Sequence, residues 1–476
     1  MSAPLPFPPA LFAGRRFAVL GLGRNGLPAA RALRAMGAAV GVWDDGEAAR
    51  DAAAAEGMDV RRPDFAGQAV DALVASPGIP HALPAPHPVA TEAIAAGVPV
   101  LSDAELLFRA VRGAGSLARF VGITGTNGKS TTTALLAHIL AALGVPVAAG
   151  GNLGPAALAL PLLPDGGVYV LEMSSYMLER LDTLRFDAAA LLNLSPDHLD
   201  RHGDMAGYVA AKRHVFDRQD GTALAVVGVD DPDSAALAAA MPGCVRISGQ
   251  ANAADVFARD GRLVDAGGAR GLRLAEAPAL PGAHNAQNVA AAVAMATWLA
   301  ADLGLPDSAA AIDAAVRSFA GLPHRQQLIA ERGGIAFVDD SKATNADAAA
   351  RALGCYPRLV WIAGGVAKAG GIEALAPWFP AVAHALLIGR DAPELAATLA
   401  GAGVSHEVAG TLEVAVPRAA RAAAALGAEV VLLSPACASF DQFSGFEARG
   451  LRFAELARAL PDCGGGRAGS AHEDAA

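Results

Sequence analysis

Short apolar runs alternate along the chain with longer alanine-rich stretches whose apolar residues recur every three or four positions. The short runs predict buried strands and the longer stretches predict helices, and their alternation is the signature of parallel α/β sheets. Three such blocks follow one another. The first opens with "FAVLGLGRNGLPAARALRAMGAAVGVWDD", which predicts a strand, a turn, a helix and a second strand ending at Asp44-Asp45. The second begins near Ala118 and contains "VYVLEMSS", "AALLNLSPDHLD" and "ALAVVGVDD". The third runs from about Leu322 and offers "IAFVDDSKATN", "RLVWIAGG", "HALLIGRD" and "EVVLLSPACAS". "RAVRGAGS" (109–116) and "AGLPHRQQ" (320–327) are the expected linkers, and the glycine-rich stretch after Asp462 is expected to be disordered.

Composition agrees with that division. A chain of 476 residues has the length of roughly three domains. With 53% hydrophobic and 18% charged residues it can build a large core. No apolar run is long enough for a transmembrane helix, and the N-terminus lacks the basic and apolar regions of a signal peptide. The four cysteines, Cys244, Cys355, Cys437 and Cys463, have neither paired nor metal-type spacing, which fits a reducing, cytoplasmic setting. A net charge of -10 argues against nucleic acid as the main partner, so any anion must be met by local sites.

One such site is predicted at "VGITGTNGKSTTTALLAHIL", residues 121–140. An apolar lead-in is followed by Gly125, Thr126, Asn127, Gly128, Lys129, Ser130 and Thr131, which open a helical stretch. Glycines let backbone N–H groups curl round phosphate, the helix N-terminus favours negative charge, lysine reaches the terminal phosphates, and a hydroxyl can meet magnesium. The spacing departs from the strict P-loop: Ile123 stands where the first glycine belongs, and Gly122 lies one residue early.

Other constellations are weaker alone. Gly21, Gly23 and Gly26 make a G-x-G-x-x-G turn after a strand, suited to a dinucleotide or to another diphosphate such as a nucleotide sugar. Glu172 ends the strand "VYVLE" and could hold magnesium. His198 in "NLSPDHLDRH" could be a second ligand or an orienting group. Lys212 lies on an amphipathic helical stretch, where the pattern by itself reads as a solvated lysine. Asn285 and Asn288, one turn apart at a helix start, could meet a purine edge or cap the helix. In the third block, 340–345 and 434–446 are polar clusters at predicted strand ends, where parallel sheets carry their sites.

The order of "GITGTNGKSTT", "GGNLG", "LEMSSYMLE", "LSPDHLDRH", "AAK", "HNAQN", "GLPHR", "DSKATN", "GGVAK" and "SPACASFDQF" resembles the Mur ligase family along nearly the whole chain. "DSKATN" and "SPACASFDQF" resemble its D-glutamate-adding branch. The resemblance implies three domains: a Rossmann-like one over 1–114 that binds the UDP part of a substrate, a central P-loop ATPase-like one over 115–321, and a Rossmann-like one over 322–476 for the amino acid. It implies ATP-dependent addition of D-glutamate to UDP-N-acetylmuramoyl-L-alanine in the cytoplasm, as a step of peptidoglycan precursor synthesis, by a monomer without nucleic-acid or membrane partners.

Residue roles follow from the same resemblance. Gly23, Arg24, Asn25 and Asp44 would meet the UDP moiety, and Asn152 and Ser174 the muramoyl part. Lys129 would hold ATP phosphates within the loop 125–131, Ser130 and Glu172 one magnesium, and His198 with a carbamylated Lys212 a second. Asn285 and Asn288 would contact the base, while Arg325, Asp340 and Lys342 reach ATP. Thr344, Lys368, Ser439 and Phe446 would surround D-glutamate. Met177, Ala367 and Phe440 depart from the family's usual Gln, Asp and Leu. Three rival readings are a sister ligase for another amino acid, a nicotinamide oxidoreductase built on residues 21–45, and a non-catalytic nucleotide sensor. The first lacks a "DNPR"-like segment, the second leaves the phosphate loop unexplained, and the third leaves the catalytic set idle.

Overall fold

The computed structural model describes residues 6–461 except 68, 153, 251–253, 266–267, 306 and 369. The tail from 462, with Cys463, lies outside the described residues. The chain divides into two compact units, Met1–Phe319 and Ala320–Ala476.

The first unit holds two sheets. One has five parallel strands in the order Asp59–Val60, Ala39–Trp43, Arg16–Leu20, Ala72–Ala75, Val100–Leu101. The other has nine, in the order Gly268–Arg273, Arg262–Asp265, Val256–Arg259, Val245–Ser248, Leu224–Gly228, Ala188–Leu191, Arg119–Thr124, Val168–Glu172, Val147–Gly151. Its middle strands are apolar because both faces are covered. Phe120, Tyr169, Leu171 and Ala189 point into one core, and Val121, Val168, Val170 and Ala190 into the other. The early glycine of the phosphate-loop segment is explained here: a Cβ at Gly122 would stand 2.9 Å from the Phe186 ring, so this glycine serves packing.

Two expectations are corrected. Parallel pairing does not extend throughout, since Arg262–Asp265 pairs antiparallel with both Val256–Arg259 and Gly268–Arg273 at one edge of the nine-stranded sheet. Residues 109–113 are no linker but the end of the helix Asp103–Gly113, whose Ser102 cap and first-turn acids mark a helix start. That helix carries Glu105, fully buried, which accepts from the backbone N–H groups of Asp182, Thr183 and Leu184 and so ties the two halves of the unit.

The second unit has one six-stranded sheet in the order Gln327–Arg332, Ile335–Asp339, Val430–Leu433, Leu359–Gly364, Val382–Ile388, His406–Gly410. Only Gln327–Arg332 pairs antiparallel. The fully buried Trp361 donates its indole N–H to the carbonyl of Ser434, fixing one strand end to its neighbour at 2.8 Å. Among the described residues no helix is long and apolar enough to cross a membrane.

Candidate functional site

The central strand Arg119–Thr124 delivers the loop 125–128 to the start of the helix Lys129–Ala142. Gly125 and Gly128 have φ of 144° and 82°, and a Cβ at Gly128 would stand 2.1 Å from Asn288 Oδ1. Glycine is required at 128 both by conformation and by space. Lys129 folds back, donating from Nζ to the carbonyls of Gly125 (2.9 Å) and Thr126 (2.8 Å). Ser130 Oγ donates to Glu172 Oε2 at 2.8 Å, and Asn152 Nδ2 donates to Glu172 Oε1 at 2.8 Å. Glu172 is buried at the end of its strand, so two other sequence-predicted residues, Ser130 and Asn152, converge on its carboxylate.

Asn193, which sequence reasoning missed, fixes the loop from the next strand. Its Oδ1 accepts from the N–H of Asn127 (2.9 Å), and its Nδ2 donates to the Asn127 carbonyl (3.2 Å) and to Gln287 (3.1 Å). Of the two alternatives for Asn285 and Asn288, helix capping is not what the structure shows. Gly282 is the N-cap residue of the helix Ala283–Asp302. Asn285 instead donates to the Pro281 carbonyl and accepts from Asn288, whose Oδ1 receives the Thr132 hydroxyl. Both amides are buried beside the loop.

Lys212 overturns the solvated-lysine pattern. It is 2% exposed, its Nζ donates to the Gly125 carbonyl at 2.9 Å, and it lies 4.6 Å from the centre of the Tyr208 ring. Burial, and then the charge of Lys129, push its pKa well below the ordinary lysine value. His198 sits in a left-handed conformation (φ 52°), half exposed, with Nε2 3.4 Å from Asp197. Ser174 caps the short helix Ser175–Leu178, accepting from Met177 N–H at 3.3 Å.

A cleft of about 520 Å³ opens beside the first G-x-G-x-x-G turn, lined by Gly23, Arg24, Asn25, Asp44, Ser76–Ile79 and Asn152 among others. Gly21 and Gly26 are packing glycines: added Cβ atoms would stand 2.6 Å from Ile79 and 1.8 Å from the Gly21 carbonyl. A Cβ at Gly23 would meet nothing, which leaves that backbone open to a ligand. Asp44 is occupied by the N–H groups of Leu22 (2.7 Å) and Gly46 (2.8 Å). Asn25 reaches the Gly151 carbonyl at 3.4 Å, and Asn152 both lines the cleft and binds Glu172.

In the second unit the predicted residues gather at the carboxyl ends of parallel strands. Asp340 is buried and accepts from Ser434 Oγ (2.7 Å) and Gln326 N–H (3.2 Å); burial pushes its carboxyl up to about 7. Lys342 Nζ lies 5.2 Å from the Phe446 ring centre, and its backbone N–H donates to His324. Arg325 follows His324 on the same turn and lowers the Asp340 pKa through its charge. Thr344 is half-buried, Ser439 buried, Lys368 exposed, and Phe440 75% exposed. Arg449, another residue missed in the sequence, is buried and donates to Ser341, Gly364 and Cys437, joining three of the loops. A Cβ at Gly450 would stand 2.1 Å from His324 Nδ1, so glycine there admits the His324–Asp339 pair.

The chain matches the family model for the Mur ligase middle domain over residues 123–296, and that for the Mur ligase, glutamate ligase domain over 324–437. A UDP-N-acetylmuramoylalanine–D-glutamate ligase of Paramagnetospirillum magneticum is 49% identical over 464 residues, covering 96% of this chain and 98% of that protein. The enzyme of the same name from Caulobacter vibrioides is 48% identical over 472 residues, with the same two shares. Among solved structures, UDP-N-acetylmuramate-alanine ligase from Thermotoga maritima shares the fold with a TM-score of 0.57 at 17% identity, over 93% of this chain and 99% of that one. MurF ligase from Thermotoga maritima in complex with ADP does so with a TM-score of 0.52 at 17% identity, over 82% and 88%.

Proposed function

The chain belongs to the Mur ligase family, and from that premise we propose that it joins D-glutamate to UDP-N-acetylmuramoyl-L-alanine at the expense of ATP, in the cytoplasm. The observation that carries the reading is the convergence of Lys129, Ser130, Glu172 and Lys212 around one glycine loop in a chain 49% identical to a ligase of that name. The three-domain division at 1–114, 115–321 and 322–476 assigns UDP binding, ATP binding and amino-acid binding in turn.

A carboxylate is a poor electrophile, so the terminal alanine carboxylate first takes the γ-phosphoryl group of ATP, releasing ADP. The D-glutamate amine then attacks the acyl phosphate, a tetrahedral intermediate forms, and phosphate leaves. The protein's part is positioning and charge. Lys129 unfolds from the Gly125 and Thr126 carbonyls to meet phosphate, and the N-terminus of its helix favours the same charge. The pair Ser130 Oγ and Glu172, 2.8 Å apart, offers the hard oxygen donors that magnesium prefers. A carbamate on Lys212 would supply the hard oxygen donors that a second magnesium, held with His198, would need. The depressed pKa of Lys212 favours that modification, because only the uncharged amine adds to carbon dioxide. Magnesium at these groups would neutralise charge developing on the transferring phosphoryl group.

Phosphate release measured with UDP-N-acetylmuramoyl-L-alanine, ATP and each of a panel of amino acids tests the proposal. Release with D-glutamate alone supports it. Release with a diamino acid or L-glutamate instead moves the chain to a sister ligase. No release with any acceptor, alongside tight NAD binding, returns the oxidoreductase reading.

A further inference from the structure

Arg180 is 2% exposed, yet among the described residues no carboxylate hydrogen-bonds to it, the neighbouring Glu179 acting on it through charge alone. Its guanidinium donates instead to neutral acceptors across the unit: the carbonyls of Ala75 (2.9 Å), Ser76 (3.0 Å) and Ile79, and Nδ1 of His81 (3.2 Å). Arg201 takes the Gly78 carbonyl at 3.0 Å. Three carbonyl oxygens of the segment 76–79 are thus engaged by cations, and that segment lines the cleft beside the first glycine turn. A cleft wall with free carbonyl lone pairs would repel a diphosphate. Here those lone pairs are drawn off and a positive charge stands behind the wall. Burial, then the charge of Arg180, hold the His81 pKa down at about 4, so the imidazole stays neutral and can accept. The Arg180 carbonyl also accepts from Ser102 N–H, the cap of the helix that carries Asp103 towards Asn25.

The geometry points to Arg180 as a positioning residue for the nucleotide substrate: it holds the wall 76–79 in shape and makes it receptive to an anionic diphosphate without touching the ligand. The inference rests on the proposed reading of the cleft as the uridine-nucleotide site. The residue lies two positions beyond the helix capped by Ser174.

Titration calorimetry of the full chain with UDP-N-acetylmuramoyl-L-alanine tests it directly, with steady-state kinetics alongside. Arg180→Met should weaken nucleotide binding and raise its KM roughly ten- to hundredfold, the loss of one or two charge-assisted bonds. The KM for ATP and for D-glutamate should stay where it was. Arg180→Lys, which keeps the charge and a donor, should fall between, and guanidinium added to Arg180→Ala should restore part of the affinity. Unchanged nucleotide affinity in a folded Arg180→Met protein overturns the inference, as does an equal loss for all three substrates. If Arg180→Met does not fold, the same comparison is read on Arg180→Lys. A wild-type chain that binds the nucleotide but releases no phosphate sinks the ligase reading, while the affinities still decide the role of Arg180. A wild-type chain that does not bind it overturns both.

Discussion

Lys129 and Lys212 share one acceptor: each donates from Nζ to the carbonyl oxygen of Gly125, at 2.9 Å in both cases. Two ammonium groups that close repel, and the buried one yields, which is why Lys129 appears among the causes of the depressed Lys212 pKa. The two lysines therefore do different work. Lys129 remains the cation for phosphate, and its loss in Lys129→Ala should cost about 10²–10³ in turnover, as with other single electrostatic contacts in a dry site. Lys212→Ala should also inactivate, but formate or acetate should restore part of the rate by supplying oxygens in place of a carbamate. Full activity of Lys212→Ala would remove the carbamate model. A ¹³C resonance from labelled carbon dioxide, present in wild type and absent in the variant, is the spectroscopic counterpart.

Gly128→Ala meets two obstacles. The left-handed φ of 82° costs an L-residue about 1–2 kcal/mol. The new methyl would also stand 2.1 Å from Asn288 Oδ1, forcing apart the Asn288–Thr132 contact. The expected result is a raised KM for ATP with a lowered melting temperature. An unchanged KM for ATP would mean that the loop does not hold the nucleotide.

How far the sequence spoke depended on distance along the chain. The strand-helix rhythm is local, so the parallel strands at 16–20, 119–124, 168–172 and 359–364 were legible from apolar runs alone. The offset glycine had no local explanation, because Gly122 answers to the ring of Phe186, sixty-odd residues away. Lys212 was hidden for the same reason: its helical period places it among polar neighbours, while Gly125 and Tyr208 close over it only in the folded sheet. Asn193, Arg180 and Arg449 gave no local signal, since their partners lie 66, 104 and 108 residues away.

Glu105 should govern the acid stability of the first unit. Burial alone would raise its carboxyl, but hydrogen bonds from Thr183, Leu184 and Asp182, with the Arg109 guanidinium, hold it below the usual glutamate range. The native state therefore binds that proton less tightly than the unfolded chain. The stabilisation is complete above the unfolded value of about 4.3 and is lost as the pH falls through the lower folded one. Glu105→Gln should cost about 2–3 kcal/mol at pH 7.5. In chemical denaturation the gap to wild type should narrow by pH 4; a gap independent of pH would contradict this account.

Asp340 has the opposite sign. Burial raises its carboxyl to about 7, so ionisation costs native-state stability as the pH climbs from the unfolded value near 3.9 to about 7, and nothing further above that. Asp340→Asn should flatten the dependence of the melting temperature on pH between 5 and 7. If Asp340 also reaches ATP, the same variant should raise the KM for ATP. A flat wild-type profile over that range would contradict the burial argument.

The amino-acid pocket is the most selective element of the proposal. D-glutamate carries two carboxylates, which need donors at two separated points, and Thr344, Ser439 and Lys368 are the donors proposed. Ser439 is 2% exposed, and its own carbonyl accepts from Gln442 and Phe443 N–H groups, so its hydroxyl is held on a fixed turn. Lys368, by contrast, is exposed and free to swing, which suits a distal carboxylate. Inverting the α-carbon would pull one carboxylate off its donors or turn the amine from the acyl phosphate. A pocket that leaves buried polar groups unpaired discriminates by orders of magnitude, unlike one that only measures size. L-glutamate and D-aspartate should therefore support almost no phosphate release. Ser439→Ala should raise the KM for D-glutamate roughly tenfold or more, with little change for ATP, since it removes one charge-assisted bond from a fixed donor. Equal turnover of the two glutamate enantiomers by the wild-type chain would refute the pocket while leaving the phosphate loop and its two lysines in place.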